Sequence, residues 1–183
     1  AIKTCKDDSQ YCPDDATLKN MKTISIWAEG VAGNVHLEIQ SIGATECDAA
    51  AVVLAAADND VVLENFQNAK HTWKQMNDPV MGGESTGTFS ISNGLGVFNG
   101  SVVDVPSLKA PGFITVKSSY GLFDRESYPD VSNCKALTIT AKSANDYKGF
   151  RVSLGNAHPS GGKFFAYGYK ANFEIKATGD FET

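Results

Sequence analysis

From residue 86 to residue 176 the chain repeats one pattern: short runs of alternating apolar and polar residues, separated by Gly, Asn, Asp and Pro. A period of two places successive side chains on opposite faces of a strand, and a helix cannot satisfy it. TGTFSI and LGVFNGSV flank Asn93-Gly94, the strongest short hairpin signal. GFITVKSS (112–119), KALTITAKS (135–143), GFRVSLG (149–155), KFFAYGY (163–169) and ANFEIK (171–176) continue the series. Upstream, KTISIW (22–27) and NVHLEIQSI (34–42) alternate on either side of a Gly-containing turn, which predicts a β-hairpin over 22–42. VVLENF (61–66) is a further strand. Many short strands, each with one wet face, and only weak helix candidates predict an all-β sandwich or barrel with little helix.

At 183 residues the chain suits one domain, or one domain with an appendage, and can bury a core without metals or many disulfides. The natural division is an N-terminal segment (1–60) and a main β-sandwich (61–183). The first holds the 22–42 hairpin and an Ala-rich linker. The net charge of −5, with no block of Lys and Arg, excludes the basic footprint of a nucleic-acid binder. The most apolar run, AAAVVLAAA (49–57), is too short to span a bilayer, so no direct membrane span is expected. It lies mid-chain without a basic flank and reads as a buried turn of helix or a strand, not as a signal peptide. The chain starts at Ala1, which is expected of a processed or trimmed product.

The cysteines (Cys5, Cys12, Cys47, Cys134) form no CxxC, and His36, His71 and His158 lie far from them in sequence. No metal site is therefore expected. Cys5 and Cys12 are close enough for a local bridge, which leans toward an oxidising compartment. Cys47 and Cys134 can pair only if the front segment packs on the main sandwich. Asp7, Asp8, Asp14 and Asp15 read as a solvated loop. GLGVFNG (94–100) and HPSGGKF (158–164) have neither dinucleotide nor P-loop spacing. His71 and His158 read as turn or surface residues, without a nucleophile beside them in a recognisable motif. No catalytic residue and no cofactor is predicted. Asn99-Gly100-Ser101 is a glycosylation acceptor if the chain enters the secretory pathway.

WKQMNDPVMGGES (73–85) stands apart as a loop between strands. Pro79 restricts the residue before it to extended or turn conformations, and Gly82-Gly83 permits positive φ or close backbone approach. The stretch predicts an ordered corner with Trp73 and Met81 largely buried. Its candidate interaction residues are Trp73, Asn77, Asp78, Met81, Gly82, Gly83 and Ser85.

The same stretch resembles the signature of the complex I intermediate-associated protein 30 family: a strand, a Trp, Asn-Asp, Val-Met-Gly-Gly and a Ser. Here these are Leu63 to Phe66, Trp73, Asn77-Asp78, Val80 to Gly83 and Ser85. Phe98-Asn99-Gly100, Gly112-Phe113, Lys148 to Leu154 and Tyr169 to Phe173 resemble later features of the family, so the likeness covers residues 61–176. It implies a jelly-roll-like antiparallel β-sandwich similar to galactose-binding domains. It also implies a non-enzymatic assembly or structural subunit of a membrane-bound respiratory or photosynthetic complex, with that complex's protein subunits as partners. The aromatic run KFFAYGY motivates an alternative, a carbohydrate-binding module of a secreted or lumenal protein. An organelle is expected, with the thylakoid lumen or secretion favoured over the mitochondrial matrix. ISIWAEGVAGNVHLEIQSIGA (24–44) is similar to the family's closing strands, placed at the front. These strands are therefore expected to enter the same sandwich, closing either their own chain or a neighbour.

Overall fold

The computed structural model describes residues 12–48, 60–78, 82–119, 128–155 and 169–183. A five-residue helix, α1 (Asp15–Lys19), opens the described chain, and the Asp14 carboxylate caps it by accepting from Thr17 N at 2.7 Å. The strands follow in order: β1 (Thr23–Glu29), β2 (Gly33–Thr45), β3 (Val61–Asn65), β4 (Thr72–Asn77), β5 (Thr86–Ser92), β6 (Leu95–Val102), β7 (Asp104–Val105), β8 (Ala110–Pro111), β9 (Phe113–Ser119), β10 (Ala136–Lys142), β11 (Phe150–Gly155) and β12 (Tyr169–Asn172). A one-turn 3-10 helix (Phe66–Asn68) follows β3.

Two antiparallel sheets make a sandwich. Sheet I has the order β12-β11-β1-β9-β4 and sheet II the order β10-β2-β6-β5, with β3 also pairing to β2. β7 and β8 form a small separate ribbon. The facing surfaces interdigitate: Ile24, Ile26, Ile114 and Phe150 from sheet I meet Leu37, Ile39, Ile42 and Phe98 from sheet II, all essentially inaccessible. The Asn93-Gly94 hairpin forms as its sequence demands. Both residues take positive φ (52° and 77°), and Ser92 pairs with Leu95.

The front strands do not form the hairpin that their alternation predicts. β1 pairs with β11 and β9, whereas β2 pairs with β10, β6 and β3, so the chain crosses from one sheet to the other. Gly30 (φ 78°) turns the backbone out of sheet I at this crossing. Each strand finds both of its edge partners elsewhere in the chain; β2 alternates between buried and half-exposed, and β1 is buried along nearly its whole length. Both strands are central in their sheets and pair within their own chain.

Cys47, just beyond β2, is disulfide-bonded to Cys134, just before β10. This bridge ties the front segment to the rest of sheet II across 87 residues of sequence. The Ala-rich run 49–57, His158 and Cys5, and with Cys5 the proposed Cys5–Cys12 pairing, lie outside the described residues. So does most of KFFAYGY, of which only Tyr169 is described. ANFEIK is strand only as far as Asn172. Asn99 lies within the paired strand β6, half-buried and bonded to His36, rather than on a loop.

Candidate functional site

The first half of WKQMNDPVMGGES is not a loop. Residues 72–77 form β4, the edge strand of sheet I, and only the part after Asn77 turns the corner. β5, the edge strand of sheet II, comes next in the chain, so the stretch sits where the two sheets meet at one side of the sandwich.

The edges are joined by side chains. Asn77 Oδ1 accepts from Gly87 N at 2.8 Å, and Gln75 Oε1 accepts from Phe89 N at 2.8 Å. Residues two apart on β4 thus serve amides two apart on β5, because both strands have the same period. These amides point away from β6, and without the Asn and Gln they would form an open edge.

Trp73 lies on the same face, at the start of β4. Its ring packs on Phe66 (5.4 Å between centroids) and Phe89 (5.9 Å), and its Nε1 donates to Glu64 Oε2 at 3.0 Å. It is half-buried rather than largely buried, because β4 is an edge strand.

Glu64, only 1% exposed, is the centre of this network. Its carboxylate accepts from the backbone amides of Asn65, Lys70 and His71, from His71 Nδ1 at 3.0 Å, and from Trp73. Burial pushes this carboxyl up, but the bonds from His71, Trp73 and Lys70 outweigh burial and leave it below its ordinary value. His71 is buried too, and its ring stacks on Tyr128 at 4.1 Å, which corrects its reading as a turn or surface residue. A carboxylate paired with an imidazole is the geometry that orients a general base. Here both side chains are sealed from solvent (3% and 0% exposed), so the pair fixes the turn after β3 rather than meeting a substrate.

Sequence reasoning missed Glu64. In VVLENF it is one of two adjacent polar residues after three apolar ones, and nothing local marks it as buried. The signal was the cluster of donors that follows it, Lys70 to Trp73, within one short turn.

The corner itself is tight. Asp78 is buried, and an added Cβ at Gly83 would overlap its carboxyl group. A Cβ at Gly112 would lie 2.5 Å from Asp78 Oδ2 and 2.6 Å from Ser85 Oγ. The glycines are therefore spacers for a side-chain carboxylate, and Gly82 adds the positive φ (82°) that turns the chain. Ser85, also buried, accepts from Val103 N at 3.1 Å and donates to Val103 O at 3.4 Å, pinning the corner to the end of β6. Met81 lies outside the described residues. The structure thus gathers Asn77, Asp78, Gly83 and Ser85 around one corner, whereas Trp73 packs at the start of β4 against Phe66, Phe89 and Glu64.

Among the described residues no cluster of three or more His, Cys, Asp or Glu side chains could hold a metal ion. No helix among them is long and apolar enough to cross a membrane.

Comparison with known proteins agrees with the signature stretch. The family model described as complex I intermediate-associated protein 30 matches residues 64–183, from the buried Glu64 through β12 and beyond. No curated protein and no solved structure matches. The match covers more than half of the chain, and the chain belongs to the complex I intermediate-associated protein 30 family.

Proposed function

We propose that this protein is a non-enzymatic assembly or structural subunit that docks on a membrane-bound respiratory or photosynthetic complex. The observation that carries the reading is its family, which is linked to complex I assembly. The structure supports it in a second way. The signature residues with chemical potential (Glu64, His71, Asp78 and Ser85) are all buried, and those with resolved bonds spend them on the fold. We place the protein in an oxidising compartment, the thylakoid lumen or outside the cell in preference to the mitochondrial matrix. The Cys47–Cys134 bridge supports that placement, because such bonds persist where thiols are not kept reduced.

The test is affinity capture of the tagged full chain from a detergent extract of its own organism. Recovery of subunits of one electron-transport complex is the expected result. Recovery of none, together with binding to immobilised glycans, would replace this reading with the carbohydrate-binding one.

A further inference from the structure

The two sides of the sandwich are closed differently. Where β4 and β5 lie side by side, the Asn77 and Gln75 side chains occupy outward amides of β5. On the opposite side the edge strands are β12 in sheet I and β10 in sheet II. Among the described residues the chain joins these two edges at one end. After β12 it buries Ile175 and then pairs Glu182 with Ala141 of β10. Ala141 N donates to Glu182 O at 2.9 Å, and Glu182 N donates to Ala141 O at 2.8 Å. Beyond this crossing a groove of about 840 Å³ lies between the edges, lined by residues 135–139 and 169–174 and by Leu18, Met21, Val152 and Leu154. A largely apolar space of this size is not a packing defect, since native interiors hold few voids larger than a water molecule.

β10 meets this groove with an open edge. Successive residues of a strand aim their backbone groups alternately toward its two sides. Ala141 bonds to Glu182, away from β2, so Ile139 and Leu137 also aim their N–H and C=O away from β2. The register shift at Thr140/Ala141 inserts Gln40 on β2 and leaves β10 regular. Among the described residues these groups of Leu137 and Ile139 have no hydrogen-bond partner. The side chains of Leu137, Ile139 and Ala141 turn into the sandwich, where Ile139 and Ala141 join the core. Residues next to the Glu182 bridge share the outer face with those opposite them. Thr183 Oγ1 lies 2.9 Å from Thr140 Oγ1, and Lys142 Nζ lies 5.1 Å from the centroid of the Phe181 ring. By the same register, a residue opposite Ile139 or Leu137 would point its side chain into the groove.

We infer that the β10 edge takes an extended segment of a partner protein as an added strand, whose apolar side chains, at every second position, fill the groove. Two features that coincide carry this assignment. Backbone donors and acceptors left open at a period of two match another extended backbone, which a small apolar molecule does not offer. The apolar groove beside them takes alternate apolar side chains, which a charged segment does not supply. The Glu182 bridge already shows this edge accepting an extended chain, and the added strand continues that pairing past Ile139 and Leu137. A segment of about five residues, about 17 Å long, covers both positions. The inference rests on the assembly-subunit reading for the kind of partner, a protein, and on the edge and its groove for the chemistry.

The test uses the full chain and a fluorescent peptide, KVSVSVK, beside the same peptide N-methylated at its valines. The expected result is that the plain peptide binds and slows hydrogen exchange at the Leu137 and Ile139 amides, and that methylation weakens binding at least about tenfold, since it removes the backbone donors. Leu137→Pro deletes one outward N–H and spares the ladder to β2, a change that edge strands tolerate. It should keep a cooperative melt and bind the peptide at least about tenfold more weakly. The exchange and methylation measurements need no variant and decide the matter if Leu137→Pro does not fold. No binding at about 1 mM peptide would overturn the inference. So would equal binding of the methylated peptide, slow exchange at both amides in the free chain, or protection confined to β5. Protection of Leu137 and Ile139 that rises with protein concentration alone would give the edge to a second copy and overturn it too. Capture of complex subunits by wild type and Leu137→Pro alike would move the docking face elsewhere and leave the assembly reading intact. Backbone-dependent peptide binding at β10 with no captured subunits would do the reverse.

Discussion

Asn77 Oδ1 accepts the backbone N–H of Gly87 at 2.8 Å, so a side chain from the last residue of one sheet's edge strand closes the edge of the other sheet. Gln75 repeats the bond one period earlier, to Phe89. Two amides that would otherwise template pairing with another chain are thereby occupied. Truncating Asn77 to Ala leaves the buried Gly87 amide short of its acceptor and should cost about 1–2 kcal/mol in urea denaturation. Asn77→Ala with Gln75→Ala should also raise the tendency to aggregate, read as light scattering during refolding. Unchanged stability and scattering in the double variant would show that water replaces both acceptors.

Trp73 contributes through packing and through one hydrogen bond, and two substitutions separate them. Trp73→Phe keeps a ring against Phe66 and Phe89 but removes a donor to the buried Glu64, which should cost about 1–2 kcal/mol. Trp73→Ala removes both and should cost about 3–5 kcal/mol. A loss under about 1 kcal/mol for Trp73→Ala would instead mark Trp73 as a contact residue for a partner.

Glu64 makes stability depend on pH in one direction. Its folded value lies below the unfolded one, so its contribution is complete above the unfolded carboxyl range, about 4.3. That contribution is lost as pH falls below this range, when the carboxyl must take a proton inside a ring of donors. Glu64→Gln should be less stable at pH 7, and its denaturation midpoint should fall less between pH 5 and acid than that of wild type. Parallel pH curves for the two proteins would show that other carboxylates dominate acid unfolding.

The Cys47–Cys134 bridge should be the chain's strongest covalent constraint. Closing a loop of 87 residues limits the unfolded chain by up to about 4–5 kcal/mol in the chain-entropy account. Cys47→Ser with Cys134→Ser should therefore lower stability by about 3–4 kcal/mol, measured in guanidinium without reductant. Peptide mapping of non-reduced protein should recover this link, and should recover Cys5 linked to Cys12 if the local pairing expected from their spacing also forms.

Deleting residues 1–45 removes β1 from the middle of sheet I and β2 from the middle of sheet II, which leaves each sheet split. The remainder should be insoluble, or should bind a hydrophobic dye without a cooperative melt. A cooperative transition of undiminished stability in a 58–183 fragment would show that the main segment repairs its own sheets.

Much of this fold was legible because its information is local. Period-two alternation in GFITVKSS and KALTITAKS needs only neighbouring residues to specify a strand, and Asn93-Gly94 specifies its turn through its own φ angles. The sandwich class and the family follow from such runs and from one long signature. Pairing is different, because two alternating strands joined by a short turn look alike whether they pair with each other or part into different sheets. β1 and β2 part because each pairs with strands far along the chain, β1 with β9 and β11 and β2 with β6 and β10, and those partners are not recorded in the residues of either strand. The site divides in the same way. The sequence by itself determined that Asn77, Asp78, Gly82, Gly83 and Ser85 make a corner. Only the tertiary structure decided what the corner is for: it brought Glu64 beneath Trp73 and set the Asp78 carboxyl against Gly83 and Gly112. Burial and cross-strand register depend on residues far apart in the chain, and no single stretch of sequence records them.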